Sequence, residues 1–202
     1  MLQSIELFSG SGEISLIFQS KGFHTLTVDN NPKLKPDLCI DICELSADIL
    51  PGSVALFWAS PDCTRFSRAA AQKHWTKETI SYRNYNYTPA TAEAIKAEKL
   101  LIRTVQLIQE INPGVWFIEN PVGRMPHLPA LRNFGHYRYC VNYADWGFSY
   151  GKETYIFTNQ LLPLPTKVQK RFLPGLRSVS DKSKRSLIPA GLIHFLVDHS
   201  SF

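Results

Sequence analysis

Short apolar runs recur along the chain at residues 4–8, 24–29, 38–42, 54–59 and 115–118. They have the length of buried strands, and small or polar residues close each of them. Between them lie stretches of helical character. The first, 13–21, is ended by Gly22. The longest opens at Thr88-Pro89, with Thr as N-cap and Pro at the first helical position, and ends at Asn112-Pro113-Gly114. Its stripe is Ile95, Ile102, Val105, Ile108 and Ile111. Two further β-type runs, 137–145 and 154–159, precede a final amphipathic helix at 187–198. Strand and helix alternate from residue 4 to residue 119, which predicts an α/β fold with a doubly wound, mostly parallel sheet and helices on both faces. Without repeats or a dividing linker, residues 1–202 read as one domain. The stretch 70–87 is polar, basic and aromatic without a clear period, and reads as a long loop.

Composition narrows the class. Hydrophobic residues at 44% and charged residues at 19% suit a soluble domain large enough for a real core. No stretch is long and apolar enough to span a bilayer, and the first residues lack a basic signal region, so a cytoplasmic location is expected. The cysteines are Cys39, Cys43, Cys63 and Cys140. They form no CxxC pairs, which favours a reducing compartment and predicts no metal site. Cys39 and Cys43 would face one side of the 38–42 strand and pack in the core. The net charge of +5 is concentrated in two segments. One carries Arg65, Arg68, Lys73, Lys77 and Arg83, and the other carries Lys167, Lys170, Arg171, Arg177, Lys182, Lys184 and Arg185. Each holds a single acid, which suits a polyanionic partner. Solvated loops are the alternative.

Candidate chemistry centres on Cys63. Pro61 stops the 54–59 strand, because it offers no N–H and fixes its own φ. The thiol then emerges at the carboxyl end of a strand, where ligands of open α/β sheets bind. Glu119 stands in the same relation to the 115–118 strand, followed by Asn120-Pro121. A loop acid or a cap is the bland alternative for it. The first strand feeds Ser9-Gly10-Ser11-Gly12, a small-residue turn into a helix that brings backbone N–H groups close to a ligand. Asp29 ends the second strand, placed to accept from ribose hydroxyls or to cap a turn. Asp41, inside the third run, needs a partner or a ligand. In 70–87, interleaved rings and cations suit stacking on bases and pairing with phosphates, although His74 or Trp75 can equally pin the loop to the core.

The order of these motifs resembles that of the DNA cytosine C5-methyltransferase family, with short phage and prophage members as the nearest likeness. Residues 8–12 resemble the S-adenosylmethionine turn, Asp29 the ribose acid, and Asp41-Ile42 the adenine contact. Residues 63–67 resemble the nucleophile motif, Glu119-Asn120-Pro121 the Glu-Asn-Val motif, and Ile188-Pro189 the closing motif. The resemblance implies a Rossmann-like S-adenosylmethionine-dependent methyltransferase fold that methylates cytosine at carbon 5 through a covalent Cys63 adduct. It implies cofactor contacts from Phe8, Ser9, Gly10, Ser11, Gly12, Glu13, Asp29, Asn30, Asp41, Ile42 and Pro61. Glu119 would hydrogen-bond N3 and N4 of the base, and Lys152 and Arg65 are the candidates for a donor to O2. Arg65 and Arg68 would lower the thiol pKa, and Asp62 would oppose them. Three departures stand out: Asp62 replaces a proline, Glu13 replaces a glycine, and Lys152-Glu153-Thr154 occupies the place of a Gln-x-Arg-x-Arg stretch. Residues 160–185 are too few for a large recognition domain, so sequence preference should be shallow. DNA is the expected partner. RNA, or a binding module without turnover, are the alternatives.

Overall fold

The computed structural model describes residues 1–68, 71–81, 84–166 and 186–202. In chain order the elements are β1 (Leu2–Leu7), α1 (Glu13–Ser20), β2 (Phe23–Asp29), β3 (Leu38–Cys39), β4 (Leu56–Ala59), α2 (Ala71–His74), β5 (Trp75–Ser81) and β6 (Asn84–Pro89). There follow α3 (Ala92–Ile111), β7 (Val115–Pro121), α4 (Pro129–Arg132), β8 (Tyr137–Asn142), β9 (Glu153–Thr158) and α5 (Ala190–Asp198). Seven strands form one sheet in the order β3-β2-β1-β4-β7-β9-β8. The pairs from β3 to β7 are parallel, and β9 runs antiparallel between β7 and β8. The chain winds outward from β1 to β3, then returns to the other side of β1 with β4. That reversal puts the ends of β1 and β4 at a topological switch point, where a crevice opens.

The period of two along the strands sorts side chains into two cores. On one face Ile5, Leu7, Phe57, Ala59, Trp116 and Ile118 pack with Leu101, Val105 and Ile108 of α3. On the other, Leu56, Trp58, Val115 and Phe117 pack with Phe18 of α1 and with Leu192, Ile193 and Leu196 of α5. On that second face, Glu6 of β1 and Glu119 of β7 continue the alternation as buried acids, 2% and 5% exposed.

Several elements differ from the sequence expectation. β3 is only two residues long, and Asp41 lies beyond it in a turn, where its carboxylate accepts from Cys43 N at 3.0 Å. Cys39 and Cys43 are accordingly exposed, not core. The described residues of the 70–87 stretch, 71–81 and 84–87, are no loop: α2 leads into β5, which pairs antiparallel with β6. Thr88 pairs with Thr76 there, so the cap of α3 falls to Thr91, whose hydroxyl accepts from Ala94 N at 3.3 Å. Ile95 and Ile102 are exposed. Steps of three from Ile102 to Ile111 turn the stripe by about 60° each, so these five residues cannot share one face. Ala94, Ala97 and Leu101 supply the buried side instead. The 137–145 run breaks at Asn142, whose side chain caps a single 3₁₀ turn, Tyr143–Trp146. The second basic segment, with Lys167 to Arg185, lies outside the described residues, as does Arg83.

Candidate active site

The turn after β1 is built from unusual backbone. Phe8 has φ +57°, uncommon for a residue with a side chain, and Gly10 and Gly12 follow at +52° and +74°. Gly12 caps α1 with its backbone alone. Asp29 holds the turn: one carboxylate oxygen accepts from Gly10 N at 3.0 Å, the other from Asn31 N at 2.9 Å. Asp29 therefore takes the turn-capping role, and it also lines a cavity.

Phe8 separates two cavities. The larger, about 370 Å³, is lined by Asp29, Asn30, Asp41, Ile42, Pro61 and Arg65, with Glu93, Lys96, Ala97 and Leu100 closing it from the α3 side. Its volume falls within the usual range for small-molecule sites. The smaller, about 150 Å³, is lined by Glu6, Ser9, Gly10, Ser11, Glu13 and Ser60, and by Leu187 and Ile188 from the closing segment. Ten of the eleven residues expected to contact a cofactor line one cavity or the other, and Gly12, the N-cap of α1, lines neither. The donor set fits a nucleoside joined to an amino acid. Asp29, Asp41, Asp62 and Glu93 line the larger space, and residues at the start of α1 line the smaller.

Glu6 was not legible as a site residue. Burial raises its pKa from 4.5 to about 7, against the lowering effect of hydrogen bonds from Ser15 N (2.9 Å) and Ser15 Oγ; the charge of Asp29 adds to the rise. The native state thus binds the proton more tightly than the unfolded chain between pH 4.5 and pH 7. Stability should be greatest below that window and fall through it as pH rises, by up to about 3 kcal/mol. Urea unfolding of the wild type and of Glu6→Gln checks this: the variant should lose most of the slope across the window. Parallel stability curves would show that Glu6 keeps its ordinary pKa.

Cys63 follows β4 on a turn that Asp62 shapes. The Asp62 carboxylate accepts from Thr64 N at 2.9 Å and Thr64 Oγ1 at 2.6 Å, and Phe66 N and Ser67 N both donate to Cys63 O. Asn120 ties this turn to β7, donating from Nδ2 to Pro61 O at 2.8 Å. Gly123 completes the joint. A Cβ there would lie 1.9 Å from Phe66 O, so only glycine lets the two segments touch.

Glu119 is buried beside Lys152, with Lys152 Nζ 3.9 Å from Glu119 Oε1. The Tyr143 hydroxyl donates to Glu119 Oε1 at 2.7 Å, and Lys152 Nζ lies 4.6 Å from the Tyr143 ring centroid. Burial and the Glu119 charge push the Tyr143 hydroxyl well above its ordinary pKa, so it stays a donor. Sequence reasoning passed over Tyr143 because its position in the 137–145 run read as strand core. Cys63, Glu119 and Lys152 thus share one electrostatic neighbourhood, whereas Arg65 lines the larger cavity.

Burial, the charge of Glu119 and that of Asp62 push the Cys63 thiol up to about 11, with Lys152 opposing them. The acidifying role expected of Arg65 and Arg68 is not found. Arg68 instead pairs with Glu153 at 3.1 Å. A thiol with this pKa is ionised to roughly one part in 10⁴ at pH 7. Alkylation of Cys63 by iodoacetamide should therefore quicken about tenfold per pH unit from 7 to 10. Glu119→Gln should move the midpoint down, and Lys152→Met should move it up. Mass spectrometry of the Cys63 peptide reads the rate, and a midpoint at or below about 8.5 would contradict the burial argument.

No family model matches the chain. A protein of Frog virus 3 (isolate Goorha) named as a probable DNA (cytosine-5)-methyltransferase is 28% identical over 170 residues, covering 78% of this chain and 71% of the viral protein. The chain resembles DNA (cytosine-5)-methyltransferases. Solved structures agree on the fold. The methyltransferase EhMeth of Entamoeba histolytica matches with a TM-score of 0.56 at 12% identity, over 84% of this chain and 58% of its own. Dnmt2 methyltransferase of S. pombe gives 0.54 at 17%, over 85% and 57%. A prophage-encoded E. coli chain described as a DNA modification methyltransferase gives 0.53 at 18%, over 87% and 51%. The fold is thus the Rossmann-like one of these methyltransferases, and the chain spans a little over half the length of the solved relatives. Among the described residues, no group of three or more His, Cys, Asp or Glu could hold a metal ion. No described helix is long and apolar enough to cross a membrane.

Proposed function

We propose that this chain is an S-adenosylmethionine-dependent DNA (cytosine-5-)-methyltransferase that works through a covalent bond from Cys63 to carbon 6 of the base. The observation that carries the reading is the shared neighbourhood of Cys63, Glu119 and Lys152 at the same end of the sheet as the two cavities beside Phe8.

Carbon 5 of cytosine is a weak nucleophile while the ring is aromatic. Addition of the Cys63 sulfur at carbon 6 makes carbon 5 enamine-like, which divides one hard step into easier ones. Glu119 holds N3 and N4, where charge develops during that addition, and Tyr143 keeps its carboxyl oriented. Lys152 would donate to O2 in this reading, with Arg65 as the alternative. The thiol proton passes to water as the sulfur adds, so the step does not require a standing thiolate. After carbon 5 is methylated, its proton is lost and the Cys63 thiolate is eliminated, restoring the ring. S-adenosylmethionine, when bound, supplies the electrophilic methyl group. Phe8, Asp29, Asp41 and Ile42 would hold its nucleoside, and the turn from Ser9 to Glu13 its amino-acid end. A cytosine in a duplex must first leave the stack, at a few kcal/mol. The hairpin β5–β6, rooted beside Cys63 through Trp75 Nε1, which donates to Arg65 O at 2.7 Å, is a lid for the flipped base.

Transfer of a labelled methyl group from S-adenosylmethionine to DNA and to RNA of equal sequence tests the reading. Label at carbon 5 of DNA cytosine is the expected result. Label on RNA alone would reassign the substrate. No label on either would leave a binding module.

A further inference from the structure

The sequence pointed to cations near Cys63 and after residue 166. The structure joins one of the first group, Lys77, to three cations from elsewhere in the chain. Lys77 of β5, Arg124 after β7, Arg132 of α4 and Arg138 of β8 come from four separate elements, and all four bear on His127. Together with burial they hold its imidazole below the ordinary pKa. None of the four is in an ion pair among the described residues; Arg132 is held by hydrogen bonds, donating from Nη1 to Asn86 Oδ1 at 3.1 Å and from Nη2 to Tyr85 O at 2.5 Å and His127 O at 2.7 Å, so it brings mainly its charge. Three lie over tyrosine rings: Lys77 Nζ is 3.5 Å from the Tyr85 centroid, Arg124 4.7 Å from Tyr87, and Arg138 5.2 Å from Tyr155. Ring faces hold cations in place while leaving their N–H groups free for an acceptor.

Two further observations point to an anionic ligand. Arg132, His136 and Arg138 line an open cavity of about 520 Å³. Arg124 Nε and His136 Nδ1 are buried without a hydrogen-bond partner among the described residues. Like charges gathered with no ion pair among the described residues repel one another unless a polyanion neutralises them, and arginine suits phosphate because its fork is bidentate. The patch also touches the Cys63 turn directly, because Arg124 N donates to Phe66 O at 2.8 Å. A polymer that delivers a base to Cys63 therefore passes beside it.

We propose that Lys77, Arg124, Arg132 and Arg138 form a phosphate-binding face that holds the backbone of the substrate strand next to the base presented to Cys63. The identity of the polymer rests on the methyltransferase reading, whereas the face itself rests on the clustering of these cations.

The test uses the full chain and a fluorescein-labelled DNA duplex with one mismatched cytosine, alongside RNA of the same sequence. Lys77 and Arg138 are exposed, and their described contacts are to rings, so Lys77→Gln/Arg138→Gln should fold; thermal unfolding checks it. The double variant should bind at least tenfold more weakly at low salt. Its slope of log K against log salt should be shallower by about 2, close to 0.9 for each lost duplex phosphate contact. Lys33→Gln/Lys35→Gln, the same charge change by the exposed β2–β3 connection, should leave the slope unchanged. Should the double variant fail to fold, Lys77→Gln alone should reduce the slope by about 1. An unaltered slope, equal losses from both double variants, or no binding of either polymer by the wild type would overturn the face. Trapping on 5-fluorocytosine DNA, measured in parallel, separates the two readings. An adduct with an unaltered slope removes the face and keeps the enzyme. A reduced slope without an adduct keeps the face and removes the enzyme.

Discussion

Cys63→Ala should abolish methyl transfer and eliminate any covalent complex with DNA containing 5-fluorocytosine, while cofactor binding stays within a few-fold of wild type. Fluorine at carbon 5 blocks the proton loss that releases the thiol, so the wild-type adduct should survive denaturing electrophoresis and should require the cofactor. The expected loss of activity is large because nothing else at the mouth of β4 can replace the sulfur. Thr64 and Ser67 carry only hydroxyls, and the Thr64 hydroxyl is already bonded to Asp62. Loss of a covalent nucleophile removes the stepwise route itself, not merely one stabilising contact. Cofactor binding should persist because the cavity walls come from the ends of β1 and β2, the turn beyond β3 and the side of α3, with Pro61 and Phe66 on either side of Cys63. An adduct formed by Cys63→Ala would assign the nucleophile to another residue.

Gly123→Ala should lower methyl transfer by about 10²-fold or more, although residue 123 bears no reactive group. The added Cβ would sit 1.9 Å from Phe66 O, 2.8 Å from Phe66 C and 3.0 Å from Ser67 Cα. All three are backbone atoms, so no rotamer change relieves the overlap. The turn carrying Cys63 must withdraw from the segment that follows Glu119, and the bond from Arg124 N to Phe66 O lengthens with it. The sulfur and the carboxyl then no longer address the same base. Calorimetry with S-adenosylhomocysteine should show a much smaller loss in cofactor affinity. Wild-type turnover by Gly123→Ala would mean that the joint between the two segments tolerates movement.

What the sequence by itself determined was carried by local patterns. Buried runs closed by small residues marked β1, β2, β4 and β7, because parallel strands covered on both faces are continuously apolar. Pro61 placed Cys63 outside its strand, and Ser9 to Gly12 marked the turn from β1 into α1. Each of these follows from a residue's own backbone preferences or from a short-range period. The misses were decided by pairing at a distance. Residues 75–89 fold as a hairpin because its two halves bond to each other and Trp75 stacks on Phe66, with ring centroids 5.8 Å apart. Once Thr88 was committed to Thr76, the start of α3 moved to Thr91. Tyr143 and Lys152 met Glu119 only when β9 paired antiparallel with β7 and β8 paired with the far edge of β9. Gly123 reads as any small residue until the Cys63 turn lies against it. The same holds for the charges. Lys77 belongs to the basic segment that begins at Arg65, but Arg124, Arg132 and Arg138 lie far along the chain from it with no local excess that would single them out. Tertiary structure alone made them one face, because electrostatic neighbours are chosen by distance in space, and the chain path between them carries no trace of it.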